Sequence, residues 1–222
     1  MSFTSLPFTT REDAGRRLAR RLEAMKIADP VIFALPRGGV PVAVEVAKAL
    51  NAPVDLLMVR KIGVPSQPEL AAAAVVDGER PDLVLNDQVM HMARLSRGDV
   101  EILMAKQLAE IDRRRRLYLG GRPAETVAGR SAIVVDDGIA TGTTVRAALR
   151  ALRRRKPKRL ILAVPVAPRD TLRDLGSEVD DLVCLEQPEP FYAIGAFYGD
   201  FHQVEDSEVI ALLASVAPAD RG

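Results

Sequence analysis

A single cysteine among 222 residues excludes any disulfide within this chain. That residue, Cys184 in Leu182-Val-Cys-Leu185, reads as a small buried strand side chain rather than a nucleophile. Histidine is almost as scarce. His91 and His202 lie far apart and neither has a ligand-like neighbour at metal spacing, which argues against a zinc centre. No uninterrupted apolar run approaches the roughly 20 residues that a membrane-spanning helix needs. Met1 to Thr10 lacks the basic segment and apolar core of a leader, so a cytoplasmic location is expected. An excess of one charge is missing too: 31 Lys and Arg face 30 Asp and Glu, for a net charge of +1. That balance calls for neither nucleic acid nor a membrane as partner. Repeats and low-complexity linkers are also absent. The length suffices for one sizeable core without requiring two, so a single domain over residues 1–222 is expected.

What the chain does contain is concentrated in Ala132-Ile-Val-Val-Asp-Asp-Gly-Ile-Ala-Thr-Gly-Thr-Thr144. Ile133 to Val135 form a short, β-branched apolar run bounded by turn residues, the pattern of a buried parallel strand. From Val145 to Arg155 the apolar residues Ala147, Ala148, Leu149, Ala151 and Leu152 recur at helical spacing. The intervening loop therefore joins the carboxyl end of a strand to the amino end of a helix. Unpaired N–H groups and the helix dipole make that position a cradle for a phosphate monoester. Gly142 lets the backbone approach closely, Thr141, Thr143 and Thr144 offer hydroxyls, and Ala140 adds no bulk. Asp136 and Asp137 stand just before the cradle, where acceptor-only carboxylates can bind the vicinal hydroxyls of a ribose. One 5-phosphorylated ribose satisfies both parts.

Val134-Val-Asp-Asp-Gly-Ile-Ala-Thr-Gly-Thr-Thr144 resembles the phosphoribosyl pyrophosphate (PRPP) signature of the type I phosphoribosyltransferases. Under that resemblance a second segment gains meaning. Val31-Ile-Phe-Ala-Leu35 reads as a strand, Pro36-Arg-Gly-Gly39 as a basic glycine turn, and Val40 to Leu50 as a helix. Such a turn, Pro36, Arg37, Gly38 and Gly39, suits the pyrophosphate of PRPP. Similar enzymes acting on 6-oxopurines often carry a strained peptide bond there. The third segment, Val54-Asp-Leu-Leu-Met-Val59, reads as a strand followed by Arg60-Lys-Ile-Gly63. Adenine phosphoribosyltransferases have a similar Arg-Lys pair introducing a flexible loop that closes over the active site. Arg60 and Lys61 are thus implied pyrophosphate ligands. The region from Arg60 through Ala71 to Val76, Asp77-Gly78 and Leu83 to Asn86 reads as a lid containing a hairpin, within an insertion of about 60–122.

The aromatic-rich segment Pro190 to Phe201 is the candidate base-binding hood, spanning about 186–204. Phe191 resembles the ring that stacks on purines in hypoxanthine-guanine phosphoribosyltransferases. Asp200 resembles the acidic residue that follows it, a metal ligand by resemblance, although the spacing here is longer. Where many 6-oxopurine enzymes place an aspartate before Thr-Gly, this chain has Ala140, as the adenine enzymes do. The chain, including Tyr118 to Pro123, looks most like a bacterial branch of the family, a likeness that leaves the acceptor open.

Elsewhere, Thr10 and Asp13 form a capping-box variant before a helix through about Lys26, with Phe3, Leu6 and Phe8 pinning the terminus. Ser96 caps a long helix from Arg97 to Leu119 that ends at Gly120-Gly121. Leu160 to Val166 and Asp181 to Leu185 read as strands, Pro168 to Leu175 and Glu205 to Val216 as helices. Alternating strands and helices imply an α/β, doubly wound, mostly parallel sheet, with the lid insertion and a small C-terminal hood. Arg113 to Arg116 read as a solvated helix end; the alternative is that one or two of them, or Arg122, reach an active site.

The resemblance implies transfer of a 5-phosphoribosyl group from PRPP to a nitrogen of a purine-like base, releasing pyrophosphate. Asp136, Asp137 and Arg37 are the catalytic candidates. Mg²⁺ would arrive bound to PRPP, and a homodimer is expected. Two alternatives remain at this point: a non-catalytic PRPP-sensing regulator on the same fold, and a phosphosugar-binding structural subunit. The retained glycine turn and lid weigh against both.

Overall fold

The computed structural model describes residues 6–77 and 81–216; Phe3 and Gly78 lie outside them. Helix α1 (Arg11–Glu23) starts where Thr10 accepts a hydrogen bond from the Asp13 amide, and Asp13 in turn accepts one from the Thr9 amide. Strand β1 (Pro30–Ala34) and helix α2 (Gly39–Leu50) follow, then the short β2 (Val54–Leu56). After an inserted segment come β6 (Ser131–Val135), α5 (Thr143–Arg154), β7 (Arg159–Val166), α6 (Arg169–Gly176) and β8 (Asp181–Glu186). A 3-10 turn (Ile194–Phe197) and α7 (Asp206–Ala214) end the described chain.

The main sheet has the order β2-β1-β6-β7-β8 with every pairing parallel. Alternation along its strands divides the core in two. Ile32, Ile133 and Ile161 pack with Leu18, Leu22, Val42 and Val46 of α1 and α2 on one face. Val31, Phe33, Val134 and Leu162 pack with Leu149, Leu152 and Leu175 of α5 and α6 on the other. Because the strand order reverses between β1 and β6, a crevice opens at their carboxyl ends, where open α/β sheets bind ligands.

The insertion is larger than the expected hairpin, because Arg60 to Gly63, expected as the exit of the preceding strand, adds a strand to it. It is a three-stranded antiparallel sheet of β3 (Val59–Val64), β4 (Gln67–Val76) and β5 (Asp82–Leu85), followed by α3 (Asp87–Ala93) and α4 (Arg97–Leu119). The run Val54 to Val59, expected as one strand, is divided between two sheets. Leu57 still donates to the Ala34 carbonyl of the main sheet, but the Met58 amide is captured by Asp77. Nor is this insertion a detached flap: Ile62, Val64, Ala72 and Val75 belong to the same buried cluster as α1 and α2. Helix α4 opens on a reciprocal Ser96–Asp99 capping box and ends at Gly120 with φ +58°. At the terminus Phe8 is fully buried against Tyr198, while Leu6 is exposed.

Candidate active site

The two loops that leave β1 and β6 meet in the crevice. Leu35 donates to the Val135 carbonyl, continuing the β1–β6 pairing into the loops. A Cβ added at Gly39 would lie 2.8 Å from the Val135 carbonyl oxygen and 3.0 Å from Asp136 Cα. One added at Gly38 would collide with the Asp137 carboxylate. Both glycines are therefore required by close approach, and the Pro36–Arg37 peptide beside them is cis.

Asp137 is buried. Its Oδ2 accepts from Arg11 Nε at 2.8 Å, and its carbonyl accepts from the Tyr198 hydroxyl at 2.6 Å. Arg11 is itself buried; it also donates to the His202 carbonyl and lies 3.9 Å from the Phe201 ring centroid. Asp136 is only partly buried. Its Oδ1 accepts from the Asp137 amide at 2.9 Å, and no described residue bonds its other oxygen. Burial pushes both carboxyls above the usual range; repulsion from Asp137 adds to the rise at Asp136, whereas Arg11 opposes it at Asp137.

The loop from Ala140 to Gly142 leads into the amino end of α5. Gly142 has φ +73° and caps α5 with no side-chain bond, leaving the first-turn N–H groups of Thr143 and its neighbours outside the helix's own ladder. From α6, Thr171 Oγ1 donates to the Ala140 carbonyl at 2.9 Å, holding the loop. Thr141 and Thr143 are exposed and Thr144 is half-buried.

Other candidates separate. Arg60 and Lys61 occupy opposite faces of β3. Arg60 pairs with Glu110 of α4 at 3.0 Å, away from the cradle, while Lys61 lines the cleft shared with Thr141, Thr143 and Thr144. Arg37 points to the start of α7, 3.3 Å from Asp206 Oδ1, an oxygen that also accepts from the Tyr118 hydroxyl at 2.6 Å. Phe191 is half-buried and stacks on Phe197 with centroids 5.4 Å apart, whereas Tyr192 is 84% exposed. Asp200 is engaged with His202, which also bonds Glu208 at 3.0 Å. Arg115, expected as part of a solvated helix end, instead enters a buried network with Asp55 and Asp77. Arg122 donates to the Val54 carbonyl.

Among the described residues no three His, Cys, Asp or Glu side chains converge as a metal cage. The hard donors in the crevice are the Asp136 and Asp137 carboxylates. They suit a cation that keeps water and ligand oxygens in its shell. Among the described residues no helix is long and apolar enough to cross a membrane.

Arg11 and Tyr198 are the residues that sequence reading missed. Arg11 stood within a helix full of basic residues, and only its burial distinguishes it.

A family model described as "Phosphoribosyl transferase domain" matches residues 9–196. The chain is 46% identical over 206 residues to two Mycobacterium tuberculosis proteins, "Putative phosphoribosyl transferase Rv0571c" (strain H37Rv) and "Putative phosphoribosyl transferase MT0597" (strain CDC 1551). The match covers 93% of this chain and 46% of each relative, so the chain spans about half the length of the curated relatives it matches. The crystal structure of TT1426 from Thermus thermophilus superposes with a TM-score of 0.82 at 38% identity, covering 96% of this chain and 100% of that one.

Proposed function

Because the chain belongs to the phosphoribosyl transferase family, we propose that it transfers the 5-phosphoribosyl group of PRPP to a nitrogen of a purine-like base and releases pyrophosphate. The observation that carries this reading is the contact of Gly38 and Gly39 with Asp137 and Asp136 at the mouth of the β1–β6 crevice, next to the α5 cradle. We read these neighbours as a pyrophosphate turn, a diol acceptor and a phosphate site, in the order the substrate presents them.

In this reading the first-turn N–H groups of α5 with Thr141, Thr143 and Thr144 hold the 5′-phosphate. Asp136 accepts from the ribose hydroxyls and faces the positive charge that develops on the ring. Asp137, held by Arg11 and Tyr198, fixes the turn behind it. Displacement at the anomeric carbon then depends on position and electrostatics, with the glycine turn's N–H groups facing the departing pyrophosphate and the Arg37 guanidinium, paired with Asp206, adding positive charge to that end of the site. Asp136 and Asp137 are the carboxylates that would hold Mg²⁺ together with PRPP oxygens and water, and the ion would supply charge neutralisation at the pyrophosphate. The aromatic hood carrying Phe191 and Tyr192 lies beside Gly138, where an added Cβ would meet Ile194 at 2.6 Å, and is the place for the base.

The test is pyrophosphate release from PRPP and Mg²⁺ against a panel of purine and pyrimidine bases. Release with one base, lost in Asp136→Asn, is the expected result. Wild-type-like PRPP affinity in the Asp136→Asn, Asp137→Asn double variant would overturn the site assignment.

A further inference from the structure

The anion-binding surface does not end at the cradle. A cleft of about 460 Å³ continues from Thr141, Thr143 and Thr144 between α5 and the β3–β5 sheet. Thr143, Arg146, Ala147 and Arg150, spaced i, i+3, i+4 and i+7, form one stripe of α5 along this cleft. Each step of three residues advances about 4.5 Å along the helix axis. Across from the stripe, the small side chains Ala71, Ala73 and Ala74 of β4 keep the space open, and Lys61 projects from β3.

Charge in this cleft is unbalanced. Arg150 is committed to Glu178, with two bonds of 3.0 and 2.8 Å. Lys61 and Arg146 stand on facing walls, and neither has an ion-pair partner among the described residues. Asp87 is the one carboxylate among the lining residues. A site for a terminal phosphate monoester needs only the loop and the first turn of α5. Two uncommitted cations one turn further along serve an anion beyond it.

We infer that this cleft is a subsite for a second phosphate attached to the ribose 5′-phosphate, so that the protein binds nucleoside 5′-diphosphates in preference to the matching monophosphates. Lys61 and Arg146 contact the outer phosphate, and the alanine wall leaves room for it. The inference rests on the PRPP reading, because it takes the α5 cradle as the 5′-phosphate site. Binding needs no chemical step. Occupancy by a diphosphate blocks PRPP, which makes the cleft a place where nucleotide levels restrain turnover.

Calorimetric titration of the whole chain with AMP, ADP, GMP and GDP tests this directly. At least one diphosphate should bind about tenfold tighter than its monophosphate, a difference set by charge-assisted bonds to one further phosphate. In Arg146→Ala, a substitution to a strong helix former, that ratio should fall toward one; Arg146→Lys should restore part of it. Equal affinities in the wild-type protein, or a ratio that survives in Arg146→Ala, would overturn the subsite while leaving PRPP turnover intact. Absence of binding by every nucleotide together with absence of PRPP binding would instead remove the reading beneath it.

Discussion

Two buried arginine–aspartate networks in this protein use the same chemistry for opposite ends. In the insertion, Arg115 bonds Asp77 at 2.7 Å and Asp55 at 3.0 Å, and the remaining carboxylate positions accept from the amides of Leu56, Met58 and Glu125. Every acceptor there is taken, and the result is a clamp joining β2, β4 and α4. At the crevice, Arg11 satisfies Asp137 but nothing among the described residues satisfies the outer oxygen of Asp136. Burying a carboxylate next to another one is costly unless an opposite charge is supplied. Arg11 supplies it to one member of the pair and leaves one oxygen of the other without a partner among the described residues. In the proposed reading the acid with an unused oxygen at the sheet's switch point is the binding group, whereas the fully bonded acids beneath α4 are a strut.

Breaking each network should separate the two. Arg115→Met keeps the apolar stem but strands two buried carboxylates, and should lower stability by about 3–5 kcal/mol in chemical denaturation. Below its melting temperature that variant should retain PRPP affinity. Arg11→Met should lose both stability and PRPP affinity; unchanged PRPP binding in it would mean that the crevice network is also only a strut. The next largest effect is expected at Gly38→Ala, where the new methyl displaces the Asp137 carboxylate. A displacement of about 1 Å at a reacting centre costs on the order of 10²-fold, so pyrophosphate release should fall by about that factor with the fold preserved by circular dichroism.

The smallest change sharpens the comparison at its edge. Asp206 holds Arg37 at 3.3 Å and receives the Tyr118 hydroxyl, so it positions the guanidinium beside the glycine turn. Asp206→Asn keeps an oxygen for Tyr118 but removes the charge. It should raise the KM for PRPP several-fold with little change in kcat, since a partly exposed ion pair contributes about 1 kcal/mol or less. An equal fall in kcat and kcat/KM would show Arg37 acting only in the transition state.

Much of the crevice was legible in the chain. Short β-branched runs followed by Pro36-Arg-Gly-Gly39 and by Asp136-Asp-Gly138 announced strand, loop and helix, because these signals are local. The opposite facing of Arg60 and Lys61 was legible as well, since side chains alternate along a strand; treating the pair as a unit overlooked it. The first strand of the insertion was not, because Arg60 to Gly63 read as the exit of the preceding strand and is a strand only through its pairing with β4. Phe191 illustrates the same limit: its pattern marks an aromatic hood, but its stacking on Phe197 depends on a turn that brings the two rings together.

By itself, then, the sequence determined the kind of fold, the two loops at the carboxyl ends of β1 and β6 and the residue types they present. All of these follow from periodicity and turn chemistry over a dozen residues at a time. Only the tertiary structure decided which charges meet. Arg11 lies 126 positions from Asp137 and Arg115 lies 60 from Asp55. A long, flexible side chain carries no local mark of its partner. Its pairing is set by which helix the core packs above which strand, and by the cost of leaving a carboxylate dry and alone.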